Sequence, residues 1–459
     1  MSSSRSANNS DEIHSLREKL IIPLMGATLV LVIMNTMMFN LALPQVAKEF
    51  GLASTTASWI VTGYSILFAI ASITYSRLSD FVPIKRLLVI ALSCLGGASI
   101  LGFFSHSFGL LLVARLVQSA GAGSVMSLAI VFITRYIPLE RRGKAMALIS
   151  SAASLGLGLG PVAGGAITQY LGWNTLFLIT GISLLFIPVF LKLLPQEQPR
   201  KGTFDWPGAV LLGIGSTGLL LFLTSRLAAV LALGIAALAF FWIRIRRIAH
   251  PFVQPVLLRN RPYLLLTLLG ITAYINNFAA LFLLPQLLSH VFHLTPNESG
   301  FVLFPGALLS MLAANYIGRA IDRFGNEPLF RVAPWLLLAA GVLFALLGNL
   351  SHYAIMLFYS LLIISFSALN ASVSNELSRV LPSEHIGSGM GLFQLLQFFS
   401  GAFSVALSSS VLGAYSPAEL PGAFTLLFWG MAGVSLLSLI VSLFYRLVQR
   451  QQQHSPVRS

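Results

Sequence analysis

Arg115 stands in an otherwise apolar stretch, three residues before Gln118, and it is the one formally charged side chain placed deep in any such stretch. Carrying a guanidinium into hydrocarbon costs roughly 2.5–3.5 kcal/mol on insertion scales, a cost usually met where a charge is bound or moved. The plainer alternative is an arginine satisfied by helix carbonyls and neighbouring polar side chains, holding a bundle together. Neutral polar residues recur in other apolar stretches: Asn35, Thr36 and Asn40, then Tyr64, Asn276 and Asn277, Asn370, Gln394 and Gln397. Any one buried amide is more often an interhelical hydrogen bond, worth about 0.6 kcal/mol, than a ligand contact. Their concentration on a few segments, with 33 phenylalanines available, points to a cavity of amides and aromatic faces around one arginine. Such a cavity suits an amphipathic, neutral or partly anionic organic molecule.

Enzymatic chemistry has less to work with. No His, Asp, Glu or Cys constellation falls at depth, and all fourteen acidic residues lie in a tail, a loop or near the end of an apolar stretch. Cys94 is the one cysteine, which leaves no disulfide framework and no cysteine metal centre. The chain is not expected to be an enzyme or to hold a metal or cofactor. His106, His290 and His293 sit near stretch ends, where an interfacial histidine is the simpler reading. For a coupling proton the candidates are Asp80, through its arginine neighbours, and Glu376.

The elements that must position these residues are membrane spans. The chain is 56% hydrophobic and 9% charged, with a mean hydropathy of +0.85, too apolar to cover a soluble surface. A span takes roughly 20 apolar residues, and fourteen such runs are present, at 20–43, 56–76, 87–105, 108–134, 143–168, 174–194, 206–224, 227–243, 263–289, 299–319, 331–349, 352–375, 386–413 and 423–446. The first nineteen residues are polar. The run after them is too long for a signal-peptide core and lacks a small-residue cleavage pattern, so it reads as a retained span.

Placing the N-terminus inside puts 25 of the 28 Lys and Arg in inside segments, leaving Lys48 and Arg226 outside and Arg115 within a span. The positive-inside rule then sets both termini in the cytoplasm of a multi-pass cell-membrane protein. The net charge of +14 is thereby spread over every inside loop, which removes the case for nucleic acid. The segment from Arg244 to Arg261, broken by Pro251 and Pro255, reads as an amphipathic connector lying on the anionic leaflet.

The expected architecture is all-α. A cytoplasmic tail (1–19) precedes a six-helix bundle (20–194), a linker with two inserted helices and the basic connector (195–262), a second six-helix bundle (263–446) and a tail (447–459). An internal repeat supports the two bundles: Ser76-Arg77-Leu78-Ser79-Asp80 after the second span corresponds to Gly318-Arg319-Ala320-Ile321-Asp322-Arg323-Phe324-Gly325 after the tenth. Asp80 and Asp322 are expected to receive nearby arginines and the positive end of the next helix, fastening the two bundles when the site faces out. In the fifth span Gly156, Gly160 and Gly164 recur every four residues, making a flat ridge for a neighbouring helix, with Pro161 adding a bend.

Asp80 with Lys85-Arg86 resembles the loop signature of the major facilitator transporters, and the run from Arg115 through Gln118 and Gly121 to Gly123 resembles their fourth-helix motif. The run Gly156-Leu157-Gly158-Leu159-Gly160-Pro161-Val162-Ala163-Gly164-Gly165 is similar to the fifth-helix motif of the drug:proton antiporter branch. Leu78-Ser79-Asp80, Ile84-Lys85-Arg86-Leu87-Leu88, Arg135-Tyr136-Ile137-Pro138 and Arg142-Gly143-Lys144-Ala145 further resemble the fourteen-helix tetracycline efflux pumps of Gram-positive bacteria. The resemblance implies a monomer exporting a small molecule by alternating access, with the proton-motive force as energy source and lipid, substrate and protons as its partners. It implies coupling or gating roles for Arg77, Asp80, Lys85, Arg86, Arg115, Asp322 and Arg323. The chain departs from the pattern at Ser76 and Pro83, where glycines are usual, and at Thr36 and Gly401, where the tetracycline pumps carry glutamates. Export of an endogenous metabolite or metal chelator and proton-coupled uptake are the alternatives.

Overall fold

The computed structural model describes residues 2–79, 81–137, 139–198, 204–248, 251–382 and 386–454, and every regular element among them is helical. The long elements are α1 (Ser2–Glu49), α2 (Trp59–Leu78), α3 (Ile84–Phe103), α4 (Phe108–Tyr136), α5 (Leu139–Tyr170) and α6 (Trp173–Leu193, interrupted by 3-10 turns). They continue with α7 (Trp206–Ser225), α8 (Ala228–Ile245), α9 (Arg261–His290), α10 (Pro296–Phe324), α11 (Glu327–Leu347), α12 (His352–Val380), α13 (Ile386–Leu412) and α14 (Leu420–His454). Among the described residues thirteen helical stretches are long and apolar enough to cross a membrane. The glycine-rich α5, at 32 residues, is a further long helix and runs through the remaining expected stretch, 143–168.

Several helices outrun their apolar runs. α1 begins at Ser2 rather than near residue 20, and α10, α12 and α14 continue several residues past the expected ends. Hydropathy marks where lipid stops, whereas a helix stops at a breaker: no Gly or Pro occurs in residues 2–22, and α10 ends at Gly325, whose φ of 75° suits glycine. Asp322 and Arg323, expected in a turn, therefore sit in the last helical turn of α10.

Helices α1–α6 pack as one group and α9–α14 as another; the groups meet along two seams, α2 against α13 and α5 against α10. Because the chain alternates direction, most of the described Lys and Arg gather at helix ends on one face of the bundle, called the basic face below. On the opposite face, Ser107, Thr295, Ser351 and Ser416 cap helix starts, two of them in capping boxes with Glu298 and Glu419. Exposed Leu, Ile, Phe and Trp side chains cover the flanks, as lipid contact requires.

The inserted pair α7–α8 packs beside the α2–α13 seam, where Leu220 closes a small apolar cluster with Ile66, Ala402 and Ala406. Its base is held by Asp205, which accepts from Gly208 N (3.0 Å), Arg244 Nε (2.7 Å) and Phe252 N (3.1 Å). One carboxylate thus ties the start of α7 to the end of α8 and to the connector. Asp205→Ala is expected to destabilise the protein by about 2 kcal/mol, the loss of charge-assisted bonds to a buried acid. A lowered thermal melting point in detergent checks it; an unchanged melting point shows that the clip is dispensable.

Candidate functional site

Arg115 lies seven residues into α4, about 10 Å along the helix from the opposite face, and is 1% exposed. Its guanidinium carbon sits 3.9 Å from the Phe39 ring centroid and 4.1 Å from that of Tyr64. Nη1 donates to Gln118 Oε1 (2.7 Å) and Asn35 Oδ1 (3.3 Å), and Gln118 Nε2 donates to Ser99 Oγ (2.7 Å). The Tyr64 hydroxyl is 3.2 Å from Thr36 Oγ1. Two desolvated cation–π contacts of about 2 kcal/mol each offset the insertion cost of about 2.5–3.5 kcal/mol. Among the described residues no carboxylate pairs with the guanidinium, and its Nε is buried with no hydrogen-bond partner. Asn40 Oδ1 and Asn277 Oδ1 are buried and unpartnered as well.

From this cation a run of rings crosses to the other helix group. Tyr64 stacks on Phe68 (6.1 Å), Phe68 touches Phe398 of α13 (4.3 Å), and Phe398 meets Tyr274 (5.6 Å) and Phe278 (5.9 Å) of α9. Phe366 of α12 completes it against Tyr274 at 5.2 Å. With 33 phenylalanines and no period to separate lipid-facing from inward-facing ones, the sequence could not single out Phe39, Phe68 or Phe398.

The other expected site residues divide. Gln397 donates to Asn370 Oδ1 (3.1 Å), and Gln394 accepts from Ser72 Oγ (2.7 Å) and donates to Met126 Sδ (3.1 Å), joining α13 to α2 and α4 across the two groups. Asn40 donates to Thr36 O one turn back. Asn276, expected to face the cavity, instead accepts from Ser435 Oγ of α14 at 3.1 Å and is a packing contact.

The glycine run serves two interfaces. A Cβ on Gly156 would lie 2.8 Å from Val30 O, one on Gly160 would collide with Met37 Cβ, and one on Gly164 would lie 2.7 Å from Met38 Cα, so this ridge seats α1 within its own group. Gly165 points the other way: a Cβ there would be 2.6 Å from Pro296 O and 3.3 Å from Gly300 Cα of α10. The surroundings of Gly158 and Pro161 lie outside the described residues. Beside this contact Asn297 Nδ2 reaches the Tyr170 hydroxyl at 3.4 Å, and on the other seam Ser409 Oγ donates to Ser58 Oγ at 3.0 Å. Both seams are therefore joined at the opposite face.

On the basic face Asp80 lies outside the described residues. Arg77 and Lys85 are half-buried and Arg86 is exposed. Asp322, expected to gather arginines, is exposed with no ion pair among the described residues, and Arg323 lies over the Phe324 ring instead. Two acids outside the repeated motif instead tie helix ends together, each within its own half. Glu197, just after α6, accepts from Ile84 N at the start of α3 (2.5 Å), from Arg135 Nη1 (3.1 Å) and from the Tyr136 hydroxyl. Glu376 of α12 accepts from Asn326 Nδ2 at the start of α11 (2.5 Å), from the Tyr445 hydroxyl (2.9 Å) and from Gln449 Nε2 (2.6 Å). Each half thus has a carboxylate at the start of its third helix, held by a tyrosine. The fourth and sixth helices have exchanged roles between halves, so a residue-by-residue repeat search misses the correspondence.

Among known proteins, the chain is 25% identical to the riboflavin transporter RibZ of Clostridioides difficile (strain 630), over 88% of this chain and 92% of that one. It is 26% identical to the multidrug efflux pump LfrA of Mycolicibacterium smegmatis (strain ATCC 700084 / mc(2)155), covering 89% and 84%. The crystal structure of the peptide transporter POT in complex with alafosfalin superposes with a TM-score of 0.69 at 15% identity, covering 92% of this chain and 94% of that one, which establishes a shared fold. The sequence pattern of the Major Facilitator Superfamily matches residues 25–405 and, overlapping them, 266–459. Two six-helix groups meeting at two seams around a buried arginine, with that pattern running through both, make this multi-pass membrane transporter a member of the Major Facilitator Superfamily.

Proposed function

We propose that the chain exports a small amphipathic organic molecule, planar and neutral or partly anionic, by proton-driven antiport with alternating access about the Arg115 site. The observation that carries this reading is a buried guanidinium with no carboxylate partner among the described residues, continuous with a run of aromatic rings that crosses both halves. Leaving buried polar atoms such as Arg115 Nε, Asn40 Oδ1 and Asn277 Oδ1 unpaired costs about 1–3 kcal/mol each, and a substrate's polar atoms would recover part of that cost. Export rather than uptake is supported by the α5 glycine run and by the efflux pump among the relatives; a drug or a tetracycline-like compound fits the class. The riboflavin transporter among the relatives favours a flat heteroaromatic ring system, which suits the same run of aromatic rings. The basic face is cytoplasmic in this reading, the protein works as a monomer, and the coupling proton moves through Glu376 or Asp80.

Inverted membrane vesicles test direction and coupling together. With the lumen acidified, tetracycline or riboflavin is expected to accumulate inside and to leave on addition of an uncoupler. Accumulation confined to right-side-out vesicles with acid outside would instead assign proton-coupled uptake.

A further inference from the structure

The connector after α8 leads to a cavity of about 590 Å³ on the basic face, lined in part by Arg259, Asn260, Arg261, Val380, Tyr445 and Gln449. It lies where the start of α9 meets the ends of α12 and α14, whereas Arg115 is on α4 near the opposite face. Other arginines of the basic face are occupied: Arg135 by Glu197, Arg244 by Asp205, Arg379 by Glu376, Arg446 by Glu327, and Arg246 stacks on Trp242 at 4.4 Å. Arg259 and Arg261 are exposed and have no carboxylate or ring partner among the described residues. The α9 terminus adds little, since Asn260 Oδ1 already accepts the Tyr263 N–H (3.1 Å) and Pro262 has none to give. The Tyr445 hydroxyl and Gln449 amide are committed to Glu376. Two free guanidinium groups therefore set the chemistry of the cavity, and that chemistry is recognition of a phosphate.

The surroundings select the source of the phosphate. Leu264, three residues beyond Arg261 and so on the same side of α9, is exposed, as are Phe444 and Leu447 beside Tyr445 on α14. A soluble anion has no use for such a flank, whereas acyl chains do. We propose that this cavity holds the headgroup of an anionic membrane lipid, its phosphate between Arg259 and Arg261 and its acyl chains along Leu264, Phe444 and Leu447. Basic pockets between transmembrane helices recognise anionic headgroups in this way. The bound lipid tethers the connector to the ends of α12 and α14, independently of what the Arg115 site transports.

Native mass spectrometry of the full-length protein, released from detergent containing phosphatidylglycerol or phosphatidylcholine, tests this. One phosphatidylglycerol per chain is expected to be retained in preference to phosphatidylcholine, and the Arg259→Gln/Arg261→Gln variant should bind it about thirty-fold more weakly. Arg259→Lys/Arg261→Lys should keep most of the affinity and Arg247→Gln all of it, with circular dichroism verifying that each variant is folded. Equal retention by wild type and the glutamine variant, equal binding of phosphatidylcholine, or displacement of the lipid by inorganic phosphate would each overturn the assignment.

Discussion

Arg115→Ala is expected to reduce transport to background while the protein still inserts and folds, as measured by substrate flux in vesicles containing matched amounts of protein. The guanidinium is the shared partner of Asn35, Gln118, Phe39 and Tyr64, so its removal takes the charge and the organisation of the site together. Stability discriminates this role from a structural one. Arg115→Met keeps most of the volume. It gives up the ring contacts and takes the guanidinium donor from the Gln118 and Asn35 oxygens, at about 1–3 kcal/mol each, but removes an insertion cost of about 2.5–3.5 kcal/mol. It should therefore remain folded in detergent while being inactive. A variant that transports normally, or that loses transport only because it unfolds, would assign Arg115 to holding the bundle together. Lysine should fail as well, because an ammonium cannot stack flat between two rings or reproduce the planar fork.

Gly165→Leu is expected to abolish cycling by a different route. Its position faces Pro296 and Gly300 across the α5–α10 seam, so a side chain wedges the halves apart at the opposite face without disturbing the packing of α1 on α5. Overpacking a tight contact costs about 1–3 kcal/mol, and a bias of that size shifts a two-state population roughly 5- to 150-fold. Labelling a cysteine placed at Ser409, in a Cys94→Ser background, reads the shift as increased reactivity from the opposite face. Gly160→Leu, directed at Met37 within one half, should instead lower the yield of folded protein. If both variants behaved alike, the distinction between ridge and seam would fall.

Much of this architecture is legible in the sequence because lipid imposes a simple rule: apolar runs of fixed length, with basic residues between alternate pairs. Arg115 and Gln118 stand out for the same reason, a charge and an amide where hydrocarbon disfavours both. What the sequence could not supply is rotational phase. On a helix with lipid on one side and protein on the other, both faces are apolar, so the amphipathic signal that orients a soluble helix is weak. Asn276 and Asn277 are neighbours about 100° apart around α9; one accepts from Ser435 on α14, and the other keeps a buried, unpaired oxygen. The clip roles of Asp205, Glu197 and Glu376 were hidden differently, although Glu376 stood out as a proton candidate. Each looks like an ordinary acid near a helix end, and only the approach of distant chain segments makes it a clip.

In the proposed cycle the two halves rock about the Arg115 site, opening one face as the other closes. Distances between paired spin labels at both faces read this motion, in a Cys94→Ser background reconstituted in lipid. One pair sits at Thr55 and Gly413 on the opposite face, the other at Arg86 and Ser378 on the basic face. Adding substrate and a proton gradient should lengthen the Thr55–Gly413 distance and shorten the Arg86–Ser378 distance together. Distances that stay fixed through transport, or that lengthen at both faces at once, would contradict it.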